Sequence, residues 1–565
     1  MKKLRWQLII IFLTGLVVGI LLLGEQPGTL QNTLAPQPAQ GGIYTEALVG
    51  SPQRLNPVLD YYNPVDRDID RLLFSGLLRF DERGLPQGDL AQSWGVSQDG
   101  TIYNFTLRKD LFWHDGQPLT AEDVLYTINL MRNSTNVFPP DVQAFWKDIE
   151  VKGLNDTTLQ FLLPEPFAPF LDYLTFGILP KHILGDISFD DLIKSPFNLQ
   201  PVGSGPFRFD HLDVENGKIT GVELSSFDKY YGKKPFIQQM IFRYYPDSAS
   251  ALQAYQQSNV QGISEVTPDI LQSVLSEKNL ALYTGRKPEL SIIMLNLNDP
   301  QSPFFQDANI RRALLLGLNR QRIIDHLLNG QAVMADGPIL PGTWAYYDGI
   351  EHVGYDQTQA QNMLKDAGYV LSGDQNSVRK KGDTALQFTL SYPDDDAHKA
   401  IAEEIQKEWT ALGAKVDLDA QPYDQLVNAE LGPRKYQAAL VDLNLSRSPD
   451  PDPYPFWDQA QATGGQNYSQ WNDRTASEYL EQARITIDLA ERTRLYRNFQ
   501  VIFSQQLPSL PLYYSVYTYA VDQQIRGVRM GPLFDTSDRF ASVLDWSLVV
   551  KRPSPAVETP TSSGH

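Results

Sequence analysis

The chain contains no cysteine among its 565 residues. That excludes disulfides, thiol nucleophiles, Cys-ligated zinc, iron–sulfur clusters and a lipidated N-terminal cysteine. Histidine is scarce too. His114, His182, His211, His326, His352, His398 and His565 are scattered, and none forms a His-x-x-x-His pair beside an acid, so no catalytic metal is expected. Positive charge is in deficit: 48 Lys and Arg stand against 67 Asp and Glu, a net charge of −19. Nucleic-acid binding needs clustered Lys and Arg, so that function is not expected. There is no Gly-x-Ser-x-Gly elbow and no phosphate-cradling Gly-x-x-x-x-Gly-Lys-Ser/Thr loop. Gly203-Ser204-Gly205-Pro206 has the wrong spacing for a nucleophile elbow and reads as a tight crossing between domains. Asp394-Asp395-Asp396 lacks the glycine and distal glutamate of a calcium loop and reads as a turn before a helix start. Asp450-Pro451-Asp452-Pro453 is likewise a stiff turn before it is a metal site. No metal, cofactor or catalytic residue is assigned.

What is present is a large soluble body. A mass of 63.7 kDa allows three or four domains, or two large lobes. Hydrophobic residues at 42% and charged residues at 20% fit a globular core. Lys2, Lys3 and Arg5 precede an uncharged apolar run of 18 residues, Trp6 to Leu23. At about 1.5 Å per residue that run reaches about 27 Å, close to a bilayer core. It reads as a signal-anchor or as a signal peptide cleaved in the small-residue zone near Ala35 and Ala39. The flanking basic residues place the body outside the cytoplasm. Residues 24–40 read as a linker, and 549–565 as a disordered tail.

Between these ends, strands and helices alternate. Thr101–Leu107 alternates Tyr103, Phe105 and Leu107 on one face, and Asp-Gly turns at Asp99 and Asp115 flank it as expected of hairpins. Thr120 is placed to cap a helix carrying Val124, Ile128 and Met131. Ala385–Leu390, a helix stopped by Gly413, and a strand starting at Val416 make a βαβ unit, so part of the sheet should be parallel. Asp307 is expected to cap a long helix closed by Gly330, and the C-terminal helices should stop at Pro508. The 27 Tyr, 26 Phe and 9 Trp suit a core, and also a cleft that grips ligands by stacking.

Several segments resemble the bacterial extracellular solute-binding proteins of family 5, the peptide/nickel-binding group. They are Leu55-Asn56-Pro57; Leu73-Phe74-Ser75-Gly76-Leu77-Leu78; Asp89-Leu90-Ala91-Gln92-Ser93-Trp94; Tyr103 to Arg108; and the specific string His114-Asp115-Gly116-Gln117-Pro118-Leu119-Thr120-Ala121-Glu122-Asp123-Val124. The resemblance continues through Pro201 to Phe207, Ile310 to Leu314 with Asn319-Arg320, Asp366 to Tyr369, and Pro508 to Leu512. It implies an α/β, two-lobed, periplasmic-binding-protein-like (type II) fold with an extra domain inserted in the first lobe. By analogy lobe I holds 41–72, 202–282 and 520–548, the extra domain 73–201, and lobe II 283–519. It implies a monomer that captures a small solute or peptide between its lobes and delivers it to the permease subunits of an ABC importer. A sensor or chaperone-like receptor without an importer remains the alternative, and an extracytoplasmic hydrolase would need a nucleophile that is not found.

The resemblance also implies ligand contacts. One cleft strand precedes the Phe-Ser-Gly-Leu-Leu segment, here Asn63, Pro64, Val65 and Asp66. The facing strand supplies Leu443, Asn444 and Arg447. In the family's peptide binders that strand carries Trp-x-x-Asp-x-x-Asp-Pro, whose first Asp holds the peptide's amino group. Here Asn444 stands at the Trp position and Arg447 at the Asp position. A guanidinium facing an ammonium in a desolvated cleft costs several kcal/mol. The ligand is therefore expected to be anionic or neutral there, or Asp442 or Asp450 takes the role, or Arg447 is a solvated loop residue. A second departure is Ser258-Asn259-Val260-Gln261, where the family often has Gly-x-x-Asp. A third is the missing lipid-anchoring cysteine, for which the Trp6–Leu23 span could substitute at the cell membrane.

Overall fold

A computed structural model describes residues 37–134, 145–371, 373, 378–446 and 449–551. One eleven-stranded sheet runs through the body. From one edge its order is Lys415–Gln421, Gln387–Pro393, Ala438–Asn444, Leu280–Leu295, Ser509–Asp522, Gly262–Ile263, Ile43–Val49, Gln239–Tyr245, Lys218–Ser226 and Phe207–Glu215, with Ala332–Met334 also on Ser509–Asp522. The expected βαβ unit is present: Gln387–Pro393 and Lys415–Gln421 pair in parallel across helix Asp396–Ala411.

Two long strands carry the sheet from one lobe to the other. Leu280 to Arg286 pair with Asp522 to Val516, and pairing resumes only at Leu290 opposite Tyr514. Lys287, Pro288 and Glu289 therefore stand against Ser515 alone, a wide irregularity that bends the ladder. The hydrophobic cores divide at the same place. Leu290 and Tyr514 belong to the core that holds Trp409, Phe499 and Phe503, while Tyr517 and Tyr519 belong to the core that holds Leu48, Ile69 and Trp546.

Within the span expected as an extra domain, Ala91–Val96, Ile102–Leu107, Thr158–Leu162 and Glu150–Asn155 form a separate four-stranded antiparallel sheet. Its Phe105 and Phe161 share one core with the first lobe. Thr120 and Asp123 form a reciprocal capping box at helix Ala121–Arg132. The Asp99-Gly100 turn joins two strands of this sheet, whereas Asp115-Gly116 closes a loop bridged between Phe112 and Pro118. The long helix expected from Asp307 to Gly330 is broken: Ala308–Leu316 ends at Gly317, and Asn319 caps a new helix. A Cβ on Gly317 would lie 2.2 Å from the Leu412 side chain, so the chain turns where it packs closest. Gln37–Ala39 pairs with Val549–Lys551, so three residues from the expected linker and three from the expected tail form a strand pair. The apolar run at 6–23 lies outside the described residues. Among the described residues no helix is long and apolar enough to cross a membrane.

Helix Pro64–Leu73 is held from behind by a buried charge network. Arg539 donates to both carboxylate oxygens of Asp68 at 2.6 and 2.8 Å and to Glu46 at 2.8 and 3.1 Å. The Tyr44 and Tyr519 hydroxyls donate to Glu46 at 2.7 and 2.9 Å. Every member is buried and partnered, which is the condition under which buried charge is tolerated.

The Gly203-Ser204-Gly205 segment crosses the end of this helix, with the Gly205 N–H donating to Leu73 O at 2.8 Å. A Cβ on Gly203 would sit 1.9 Å from Leu73 O. Gly203→Ala is expected to lower unfolding free energy by about 3 kcal/mol in denaturant titrations, because backbone must move. An unchanged midpoint and slope would contradict this packing.

Candidate functional site

A cleft of about 670 Å³ lies between the two cores. The first-lobe wall is Pro57, Asp60 and Tyr61 followed by one face of helix Pro64–Leu73 and its end: Arg67, Asp70, Arg71 and Phe74. Those positions follow the i, i+3, i+4, i+7 spacing of a helix face. The second-lobe wall is Val441 to Ser446 and Pro449 to Asp452. Trp146, Tyr173, Phe176, Phe456 and Tyr468 add aromatic surface. Acids outnumber bases nine to three among the described lining residues. Aspartates alone supply the acids, and arginines alone the bases.

The expected contacts divide. Leu443 and Asn444 line the cleft, and Asn444 Oδ1 accepts from the Ser446 N–H at 2.8 Å to shape the turn. Arg447 lies outside the described residues, while its neighbours Ser446 and Pro449 line the cleft. Asn63, Pro64, Val65 and Asp66 are not a cleft strand, and they do not line the cavity. They are the capped start of the helix. Asn63 Oδ1 accepts from Val65 N–H at 3.0 Å, and Pro64 takes the first turn. Asp66 is buried and accepts from the Gln53 and Arg54 N–H groups at 2.9 and 2.8 Å. Burial raises its pKa to about 6 against the pull of those N–H groups. The Asn-Pro pair with an acid two residues on is a helix-start signature, and the cavity-lining residues of the helix lie one to three turns later.

Both alternative acids are committed. Asp450 is buried against the Arg492 guanidinium and accepts from the Tyr496 hydroxyl at 3.1 Å. Its N–H donates across the cleft to Asp172 Oδ2 at 2.7 Å. Asp442 accepts from the Ser291 hydroxyl and lies 3.2 Å from His398 Nε2, whose Nδ1 is 2.7 Å from Asp395. A second contact crosses the cleft mouth: the Arg484 guanidinium lies 4.3 Å from the Tyr454 ring centroid of its own lobe and 5.1 Å from that of Phe167 in the first lobe. Asp89, deeper in the first lobe, accepts from the Tyr231 hydroxyl at 2.5 Å. The grouping of metal-ligand type among the described residues, His211, Asp213 and Glu223, lies on the first-lobe edge strands, outside the cleft lining. Arg243 already donates to Asp213 there.

Comparison with known proteins agrees with this geometry. The family model described as bacterial extracellular solute-binding proteins, family 5 middle, matches residues 86–467. A dipeptide-binding protein of Escherichia coli K12 is 27% identical over 510 residues, covering 86% of this chain and 91% of the relative. The oligopeptide-binding protein AppA of Bacillus subtilis, solved with a nonapeptide, superposes with a TM-score of 0.68 at 24% identity, covering 91% of this chain and 100% of that one. NikZ of Campylobacter jejuni, solved with Ni(L-His), superposes at 0.68 with 25% identity, covering 89% and 99%.

Burial alone would lower the His398 pKa, but the hydrogen bond and charge of Asp442, then those of Asp395, raise it to about 9. A raised folded-state value means that the pair's stabilisation is fully present below about pH 6.5 and is lost as pH rises through about 9. The stability difference between the wild type and His398→Gln is therefore expected to shrink across that window in denaturant titrations. A pH-independent difference would contradict the His398–Asp442 pairing.

Proposed function

Because the chain belongs to the bacterial extracellular solute-binding proteins of family 5, we propose that its cleft captures a peptide-sized solute outside the cytoplasm and presents it to the permease subunits of an ABC importer. The observation that carries this is the cleft itself: about 670 Å³ between two separate cores joined by strands that break register at their midpoint. That volume is in the range of small-ligand sites. Named relatives bind dipeptides and oligopeptides, which supports a peptide or peptide-sized ligand here. Contacts from both walls favour the closed form, so no bond need be broken.

Leu443, Asn444 and Arg447 are proposed as second-lobe contacts. With Asp442 and Asp450 committed to His398 and Arg492, Arg447 is proposed to meet a carboxylate or carbonyl of the ligand, never its ammonium. The Trp6–Leu23 run is proposed to hold the protein at the outer face of the cytoplasmic membrane, where no lipidated cysteine is available.

A screen of di- to tetrapeptides by thermal shift is expected to find ligands. Saturation at 100 times the dissociation constant adds about 2.7 kcal/mol of stability. No shift with any peptide would count against the assignment. Among the peptides that bind, C-terminal amidation is expected to weaken affinity about tenfold, and Arg447→Ala to abolish that difference. Equal sensitivity to amidation in both proteins would remove Arg447 from the site. Cell fractionation tests the anchor: intact protein with residues 6–23 should pellet with membranes, and a mature chain starting after Ala35 or Ala39 would show cleavage instead.

A further inference from the structure

We propose that Asp70 is the cation-recognising residue of this cleft, its carboxylate taking an ammonium or guanidinium group of the bound solute against the first-lobe wall. The inference rests on the cleft reading above and adds the charge of the ligand and where that charge is placed.

Asp70 lines the cleft from the cleft-facing side of helix Pro64–Leu73, yet it is only 3% exposed. Neither of its carboxylate oxygens receives a well-formed hydrogen bond, and the neighbouring Asn56 N–H donates to Arg54 O at 3.0 Å instead. A buried carboxylate left unpaired costs more than the 1–3 kcal/mol of a neutral orphan, so native structures rarely keep one without a reason. The obvious internal partners are taken. Arg67 Nε is 2.6 Å from Asp535 Oδ2, and Arg71 Nη2 is 3.3 Å from Asp538 Oδ1. The Tyr244 hydroxyl, which feels the Asp70 charge, is also buried without a partner. The wall around Asp70 thus offers acceptor capacity that no described side chain fills. The nine-to-three excess of aspartate over arginine around the cavity favours a positive group in the same direction.

The surroundings also set the protonation of the site. Burial, then the charges of Asp60 and Asp66, raise the Asp70 pKa well above the carboxylate range, and the Asn56 N–H and Arg67 pull it down less strongly. A cation arriving beside Asp70 favours the ionised form, so binding releases a proton, and affinity for a cationic ligand falls as pH is lowered.

The test uses the full-length protein and four probes: Ala-Lys-Ala, Ala-norleucine-Ala and the N-acetyl form of each. Wild type is expected to bind Ala-Lys-Ala at least about tenfold more tightly than N-acetyl-Ala-norleucine-Ala. The two intermediate probes tell whether the α-amino or the side-chain nitrogen is the group recognised. Asp70→Asn should erase that preference while keeping affinity for the neutral probe, and its ligand-free melting temperature should be no lower than that of wild type. Calorimetry in buffers of different ionisation enthalpy should show proton release on binding Ala-Lys-Ala to wild type and none in Asp70→Asn. A charge preference surviving in Asp70→Asn, an equal loss for charged and neutral probes, or the absence of proton release in wild type would overturn the proposal. Binding of all four probes without charge preference removes the Asp70 role and leaves the cleft assignment standing. Binding of none removes both.

Discussion

The structure depends on one pair of antiparallel strands that belongs to both lobes. Leu280–Leu295 and Ser509–Asp522 are hydrogen-bonded on each side of a three-residue interruption at Lys287–Glu289. On one side Ser509–Asp522 continues through Gly262–Ile263 to the first-lobe strands; on the other Leu280–Leu295 continues through Ala438–Asn444 to the second-lobe strands. The sheet is therefore continuous while the hydrophobic cores are not. Rotation at the interruption costs few ladder hydrogen bonds and opens neither core. Contacts across the cleft mouth include a backbone N–H on the Asp172 carboxylate, Arg484 over Phe167, and the close approach of Pro449 to Gly84. In the proposed function, a ligand touching both walls would favour the closed form.

The same economy appears in the first-lobe wall. Helix Pro64–Leu73 carries Asp66, Asp68 and Asp70, all buried. Asp66 is used by the backbone of 53–54, and Asp68 by Arg539, which also holds Glu46 and so ties the C-terminal segment to the first strand of the lobe. These bonds fix the helix from the side away from the cleft. Its opposite face then presents charged groups to the cavity on a rigid element, which preorganises a binding surface better than a loop would.

Much of this was legible from residue pattern. The capping role of Thr120, the βαβ unit whose helix stops at Gly413, the acidic turn at Asp394–Asp396 before that helix and the close crossing at Gly203–Gly205 follow from local chemistry and are present. The helix stop before Pro508 is present as well, with Leu507 in a left-handed conformation at φ 46°. Other features needed tertiary information. The break at Gly317 is set by contact with Leu412, which is 95 residues away in sequence. Asn63–Asp66, expected as a cleft strand by analogy, is a helix start, which Asn63, Pro64 and Asp66 spell in the sequence. The acidic lining could not be read from the net charge, since Asp60, Asp172, Asp442 and Asp535 come from four distant parts of the chain. The commitment of Asp450 to Arg492 and of Asp442 to His398 was equally invisible until the fold placed them together.

The absence of cysteine, which first excluded chemistry, makes the central claim directly measurable. Leu154, in the separate four-stranded sheet, and Ile485, in the second lobe, are both exposed, and Leu154→Cys with Ile485→Cys would carry two spin labels and no others. Pulsed electron resonance should give a broad, long distance distribution in the ligand-free protein. A saturating peptide ligand should replace it with a shorter and narrower one. An identical distribution with and without bound ligand would contradict hinge closure at Lys287–Glu289.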